Sequence, residues 1–284
     1  MKYTNNDVTL YIPVKNSEKT IERCIISVLE QKKVPSLILV IDSDSTDRTR
    51  KIAKKHGIRV VKNKKQGLAS ARNLALSLCK TKLIASIDSD CVLSKEWLEK
   101  IIESFSLNDV NGVCGSMPEK YTKSIADKWR SIHLPQTLGN KTIKNPDFLF
   151  GSNSIYVADD LRKIGGYNDK YTTNYEDVDI SKRLKQTGKT ILYEPSAKCI
   201  HLKQDTIRSV IKAAKRWHHY SFPLPKTVLN YLKRVFMYNP YHYIKESQRD
   251  ILNLSVKTSA LTFLYFLYLQ YDDTRTYIKS AFRR

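Results

Sequence analysis

Asp88 and Asp90, in Asp88-Ser89-Asp90, follow directly on the apolar run Leu83-Ile84-Ala85-Ser86-Ile87. On an extended chain, side chains two apart point the same way, so these two carboxylates address one point in space. Such a pair suits a hard divalent cation, Mg²⁺ or Mn²⁺, whose remaining ligands usually come from substrate phosphates. An isolated Asp-x-Asp is ordinarily solvated surface; a buried strand immediately in front of it changes that reading. A second acidic pair, Asp42 and Asp44, follows the apolar run 37–41 in the same way.

Two pairs of this kind need strand ends to carry them, and the first 90 residues supply these by alternating short apolar runs with amphipathic stretches. Residues 8–14 read as a first strand. Asn16 or Ser17 can cap a helix whose apolar face is Ile21, Cys24, Ile25, Val28 and Leu29. The run 37–41 is a strand buried on both faces. A short helix capped by Ser45 or Thr46 ends at Gly57, and 58–61 is a third strand. A helix over 67–79 turns Leu68, Ala71, Leu74, Ala75 and Leu78 inward, 82–87 is a fourth strand, and Ser94 caps a helix through Phe105. Both acidic pairs thus fall at C-terminal strand ends, where open parallel sheets form their ligand crevice. Neither Gly-x-Gly-x-x-Gly nor Gly-x-x-x-x-Gly-Lys-Ser/Thr occurs, so this is not an ordinary dinucleotide or P-loop fold.

Beyond Phe105 the pattern changes. Strand-like pieces are expected at 110–116, within 148–157, at 191–193 and at 199–202. Helices are expected at 123–138, at 159–164 before Gly165-Gly166, and at 176–186 before Gly188. From Thr206 the chain reads as helical. Residues 1–204 therefore form one domain, divided into 1–105 and 106–204, and 205–284 form a basic helical extension.

At 284 residues and 41% apolar, with only 9 Gly and 9 Pro, the chain is neither disordered nor low-complexity. No apolar run reaches the about 18 residues of a membrane span, and the N-terminus lacks a signal-peptide pattern, so a cytoplasmic protein is expected. Five scattered cysteines without a Cys-x-x-Cys pair read as buried free thiols. The formal charge of +21 favours an anionic partner without choosing among nucleic acid, a nucleotide-linked substrate and a membrane surface. From residue 198 onward 16 basic side chains face 5 acidic ones, about half the excess in under a third of the length. In that region 259–271 is apolar and aromatic. It either packs on the protein or lies in a membrane interface, with Phe263, Tyr265, Phe266, Tyr268 and Tyr271 at head-group level and the basic tail on anionic lipid.

Five segments together resemble a family 2 glycosyltransferase of the GT-A fold. Leu10-Tyr11-Ile12-Pro13-Val14-Lys15-Asn16 is similar to the family's opening strand and loop. Val40-Ile41-Asp42-Ser43-Asp44-Ser45-Thr46-Asp47 is similar to its Val-Asp-Asp-Gly-Ser-Thr-Asp segment, with Ser43 and Asp44 where the family often has Asp and Gly. Gln66-Gly67-Leu68-Ala69-Ser70-Ala71-Arg72-Asn73 matches its Gly-x-x-x-Ala-Arg-Asn helix start. Asp88-Ser89-Asp90 stands at the metal motif, and Glu176-Asp177-Val178-Asp179 at the Glu-Asp motif of the acceptor half. The resemblance covers roughly residues 8–202.

It implies a Rossmann-like mixed α/β sheet flanked by helices, and it implies roles. Pro13, Lys15 and Asn16 lie beside the nucleotide, Asp42 meets its base, and Asp88 is near the ribose. Asp90 holds Mg²⁺ or Mn²⁺ with His201, in Ile200-His201-Leu202, completing the shell. Arg72, on the first turn of its helix, meets a diphosphate. Asp177 is the catalytic base; Glu176, about 100 degrees round the same helix, is a candidate acceptor contact. Gly151 and Asn153, in Phe150-Gly151-Ser152-Asn153, precede the acceptor subsite. Arg216-Trp217 resembles the end of the Gln-x-x-Arg-Trp motif of processive synthases, but Ala213 replaces the Gln, so processive synthesis is not expected and a lipid or acceptor contact is.

The expected activity is inverting transfer of one sugar from a nucleotide-diphosphate sugar to a hydroxyl of a saccharide or lipid-linked saccharide, with an anionic membrane surface as a possible partner and no nucleic acid. The alternatives are a sugar nucleotidyltransferase, whose Gly-rich basic signature residues 8–16 lack, and a basic nucleic-acid or lipid-binding protein on a disabled transferase scaffold.

Overall fold

The computed structural model describes residues 3–222 and 227–281. They form two compact units, one of residues 3–120 and 136–202, the other of 121–135, 203–222 and 227–281. The segment 121–135, expected within the first domain, clusters with the second unit instead, because Ala126 and Trp129 of its helix Ile125–His133 are buried among residues of the C-terminal helices.

The elements of the first unit, in chain order, begin with β1 (Val8–Val14), α1 (Ile21–Leu29), β2 (Leu37–Asp42), α2 (Thr49–Lys55), β3 (Arg59–Lys62), α3 (Leu68–Leu78) and β4 (Leu83–Ile87). Then come β5 (Cys91–Leu93), α4 (Trp97–Asn108) and β6 (Gly112–Ser116). After α5 (Ile125–His133) of the other unit, the first unit resumes with β7 (Ile143–Lys144), β8 (Asn153–Val157), α6 (Ala158–Lys163), α7 (Glu176–Gln186) and β9 (Ile191–His201). The sheet order is β3-β2-β1-β4-β8-β6-β9-β5, with β7 paired to β9. β3, β2, β1 and β4 are parallel, whereas β8 runs antiparallel to both β4 and β6.

All seven residues of β1 and all five of β4 are buried, as strands covered on both faces must be. One core layer joins Leu10, Ile12, Ile25, Trp97 and Ile101 under α1 and α4. The other joins Tyr11, Leu39, Ala75, Leu161, Ile180 and Leu184 under α3, α6 and α7. Truncating Leu10 or Leu39 to Ala should cost about 2–5 kcal/mol. β1 is the switch point: the chain steps from it to β2 and β3 on one side and returns to β4 on the other, which opens a crevice at the C-terminal strand ends.

The fold differs from the sequence expectation in several places: β7 is an added strand, and α1 and α2 start at Ile21 and Thr49, behind Thr20 and Arg48 and not behind the caps expected at 16–17 and 45–46. β5 was not foreseen; it is three residues long and pairs Cys91 with His201. The two pieces at 191–193 and 199–202 are one strand, β9, whose pairing with β6 jumps from Gly115↔Glu194 to Ser116↔Lys198. Pro195, which has no N–H for the ladder, sits in that bulge. α5 stops at His133 rather than at 138. All five cysteines are buried and free, as expected.

The second unit holds α5, α8 (Ile207–Ser221), α9 (Val228–Lys233), a π turn Arg234–Tyr238, α10 (Asn239–Leu252) and α11 (Val256–Ala281). Its core is Ala126, Trp129, Val210, Ala214, Leu261, Tyr265 and Leu269. The Trp129 indole donates to Thr262 Oγ1 (2.8 Å), and the His133 ring bridges Glu246 (2.7 Å) and Asp250 (2.8 Å). α11 turns Leu261, Tyr265 and Leu269 inward and leaves Phe263, Leu264, Leu267 and Tyr271 exposed. Among the described residues no helix is long and apolar enough to cross a membrane. The last basic residues, 283 and 284, lie outside the described residues.

Candidate active site

The loops after β1, β2 and β4 are stitched together at the crevice. Asn16 N–H donates to Ser45 Oγ (2.9 Å), Asn16 Oδ1 accepts from Thr46 N–H (2.8 Å), and Ser17 N–H donates to Thr49 Oγ1 (2.7 Å). Ser89 Oγ donates to Ser17 Oγ (2.8 Å), which ties the Asp88-Ser89-Asp90 turn to the same loops. Asn16 adopts φ 53°, a left-handed geometry that Asn tolerates better than most residues. Lys15 and Asn16 are exposed at the rim, with Pro13 buried below. Asp42 is fully buried; its carboxylate accepts from Ser45 N–H (3.2 Å) and lies 3.8 Å from Arg50. Asp44 instead faces solvent and pairs with Lys62 (3.1 Å).

Across β4, the antiparallel register sets Ile87 opposite Asn153, and Asp88 N–H donates to Ser152 O (3.1 Å). The loop 149–152 is thereby held against the acidic turn. Arg72, on α3, joins the two. Its side chain is 1% exposed and donates to Gly151 O (2.8 Å), Glu176 Oε1 (3.2 Å), Tyr11 OH (3.3 Å) and Ser86 Oγ, with Asp88 Oδ1 at 3.5 Å. The guanidinium is therefore committed to the protein's own acceptors. Gly151 must be glycine here: a Cβ would lie 2.8 Å from Arg72 Nη2 and 3.1 Å from Asp177 Cβ.

Glu176 and Asp177 open α7, where the helix dipole favours carboxylates. Tyr175 before them is left-handed at φ 77°, a strained geometry for a non-glycine residue. Asp177 accepts from Gly151 N–H (3.2 Å) and Val178 N–H (2.9 Å). Burial pushes both acids up. Glu176 reaches about 7, with Arg72 pulling back and Asp177 adding to the rise. Asp177 rises despite the Gly151 N–H and Arg72. Asp88 is raised by burial as well, again against Arg72.

The β5–β9 pairing brings His201 beside the acidic turn. Its Nε2 is 3.4 Å from Asp90 Oδ2, and its Nδ1 bonds Glu119 (2.9 Å). Burial lowers the affinity of this ring for a proton, but the bonds to Asp90 and Glu119 outweigh that and hold it up to about 10. The donor set fits a divalent cation that takes the place of the ring proton on His201: Asp90 and His201 converge, and Asp88 Oδ1 is a buried oxygen with no hydrogen-bond partner among the described residues.

The structure thus brings together Arg72, Asp88, Asp90, Gly151, Glu176, Asp177 and His201. Asn153 stands apart from an acceptor role. It is fully buried, accepts from the Trp97 indole (2.6 Å) and donates to Ser116 O (3.2 Å), so it joins α4 to β6. Arg216 and Trp217 are half-buried on α8 of the second unit. Sequence reasoning missed Glu119, which orients His201, and Tyr11 and Ser86, which hold Arg72. Tyr11 lies in the opening segment 10–16, where no role was read for it, and Glu119 and Ser86 lie in none of the five segments.

Comparison with known proteins accords with this geometry. The chondroitin synthase of Escherichia coli is 34% identical over 103 residues, covering 34% of this chain and 15% of the synthase. The glycosyltransferase AglE of Haloferax volcanii is 22% identical over 199 residues, 66% of this chain and 64% of AglE. The chain accordingly spans less than two thirds of either relative. Among solved structures, the mannosyltransferase PcManGT of Pyrobaculum calidifontis, in complex with GDP-Man and Mn²⁺, superposes with a TM-score of 0.62 at 17% identity, covering 98% of this chain and 84% of that one. The family model for glycosyl transferase family 2 matches residues 9–165, over half the chain, and the chain belongs to that family, on a GT-A fold.

Proposed function

We propose that the protein transfers a sugar, with inversion, from a nucleotide-diphosphate sugar to a hydroxyl of a saccharide or lipid-linked acceptor. The observation that carries this reading is the Asp88–Arg72–Glu176/Asp177 constellation, in which one buried guanidinium ties the acidic turn after β4 to the start of α7. A mannosyltransferase of the same fold takes GDP-Man and Mn²⁺, which supports a nucleotide-sugar donor and a divalent ion here.

Asp42 and the loop at Pro13, Lys15 and Asn16 take the nucleoside end of the donor, and Asp88 its ribose. Asp90 and His201 would hold a divalent cation, which would supply positive charge to the departing diphosphate. Asp177 accepts the proton of the acceptor hydroxyl as that oxygen bonds the anomeric carbon. The bond to the diphosphate breaks on the opposite face, and its electron pair leaves with the nucleotide. A raised carboxyl pKa suits that task, because a stronger base takes the proton more readily. Arg72 holds Glu176, Gly151 and Asp88 in place rather than touching the donor. Asp177→Asn should keep donor binding and lose transfer about 10²–10⁴-fold, read as nucleoside diphosphate released from a panel of UDP- and GDP-sugars with and without acceptor. Transfer at the native rate would remove Asp177 as the base.

A membrane surface is a second element of the proposal, favoured by the exposed apolar side chains Phe236, Tyr241, Ile251, Leu252, Leu254 and Val256 on the basic helical unit. Sedimentation with anionic liposomes at low salt should carry the protein down, and salt should release it. No binding at low salt would exclude this role.

A further inference from the structure

His219 on α8 and Asp272 and Asp273 on α11 meet inside the second unit. His219 Nε2 lies 3.6 Å from Asp272 Oδ2 and 3.5 Å from Asp273 Oδ1. Both separations are too long for good hydrogen bonds. All three atoms are buried without a hydrogen-bond partner among the described residues, and Asp273 is fully buried, so its idle oxygen is costly.

The other half of each carboxylate is committed. Asp272 Oδ1 accepts from Lys215 Nζ (2.6 Å), and Asp273 Oδ2 accepts from Arg234 Nε (2.7 Å) and Asn239 Nδ2 (2.9 Å). Each carboxylate thus turns one oxygen outward to a fixed donor and one inward to the shared point. This is how outer partners orient monodentate metal ligands. The two spacings from His219 Nε2 also fit, and all three atoms lie within 4.8 Å of one another. Ligands at about 2.0–2.2 Å from a tetrahedral ion stand about 3.3–3.6 Å apart.

We propose that His219 Nε2, Asp272 Oδ2 and Asp273 Oδ1 bind a zinc-type transition-metal ion, with solvent in the fourth position. One imidazole and two carboxylate oxygens in a compact trio suit Zn²⁺ better than Mg²⁺ or Ca²⁺, which need six or more oxygens. Lys215 and Arg234 already balance the two carboxylates, so the site binds more weakly than an all-thiolate structural site. Its effect is to join α8 to α11, cross-linking 219 to 272 and stabilising the helical unit by the free energy of binding.

The test uses the full chain stripped by chelator and titrated with Co²⁺, whose visible spectrum distinguishes tetrahedral from octahedral coordination. One equivalent should give intense tetrahedral bands that disappear in His219→Ala and Asp273→Asn and persist in Asp90→Ala. No tetrahedral band at stoichiometric cobalt, a band that survives His219→Ala, or one lost with Asp90→Ala would overturn the proposal. The zinc absorption edge of the Asp90→Ala chain loaded with one equivalent reads this site without the Asp90–His201 pair. A shell of one imidazole and oxygens near 2.0 Å supports the site, and an all-oxygen or sulfur shell refutes it.

Discussion

Arg72 is the residue on which the first unit's chemistry and stability most directly meet. Its side chain is 1% exposed and that of Glu176 3%, at 3.2 Å, so this is a pair removed from water, not a screened surface contact. Above pH 7, where Glu176 is ionised, replacing Arg72 with Met keeps the bulk of the stem but strands a buried carboxylate, which typically costs about 3–5 kcal/mol. The acceptors at Gly151, Tyr11 and Ser86 lose their donor as well, which places the variant in the upper half of that range. The stranded charge is separable from the lost hydrogen bonds. Glu176→Gln in the Arg72→Met background removes the charge and leaves the other acceptors as they were, so the double variant should recover about 2–3 kcal/mol relative to Arg72→Met alone. Urea unfolding followed by far-ultraviolet circular dichroism, at constant m, gives the four corners of the cycle. If the two substitutions add within about 0.5 kcal/mol, Arg72 and Glu176 are energetically independent, and the reading of Arg72 as the group that holds the acids is wrong.

Glu176 also makes a pH prediction. Its folded pKa of about 7 stands above the ordinary 4.5, so the folded state binds the proton more tightly. Its contribution is full below pH 4.5 and is lost as pH rises toward 7. The urea midpoint of the native protein should therefore fall across that window, and Glu176→Gln should flatten the fall; an unchanged slope would contradict the raised pKa. Gly151→Ala should cost about 1–3 kcal/mol and lower transfer about 10²-fold, because the new methyl displaces Arg72 or Asp177. Thermal melts and product release measured together would show it, and native behaviour in both would mean that the close approach at Gly151 is unimportant.

The parallel half was legible because its signals are local. Strand runs such as 37–41, the face at Ile21, Cys24, Ile25 and Val28, and the glycine at 57 each fix their own element, and β1 to β4 follow within a residue or two. What the sequence hid is pairing between distant segments. β5 is three residues long and exists because Cys91–Leu93 finds β9, and β9 runs through Pro195 because β6 accommodates a bulge. Arg72 shows the same limit at the site: its helix and turn were readable, but its burial depends on Tyr11, Ser86, Gly151 and Glu176 arriving from four other segments. Asn153 reads as an acceptor contact because it shares the segment Phe150-Gly151-Ser152-Asn153 with Gly151; the alternation along β8 turns its amide into the core.

That alternation points to why the site is built across β4 and β8. The parallel strands alone would leave Asp88 and Asp90 on a turn with only neighbouring loops to steady it. The antiparallel partner adds a second anchor: Asp88 N–H on Ser152 O fixes the spacing between the acidic turn and Gly151, and Gly151 in turn contacts Arg72 and Asp177. Register in such a pair is all or nothing, since a slip of one residue would turn Ile155 from core to the opposite face and strand Asn153. The distance between the candidate metal ligands and the candidate base is therefore set by the core packing of β8. Changes that loosen Ile155 or Trp97 should reach catalysis through that register, without touching any residue that meets the donor.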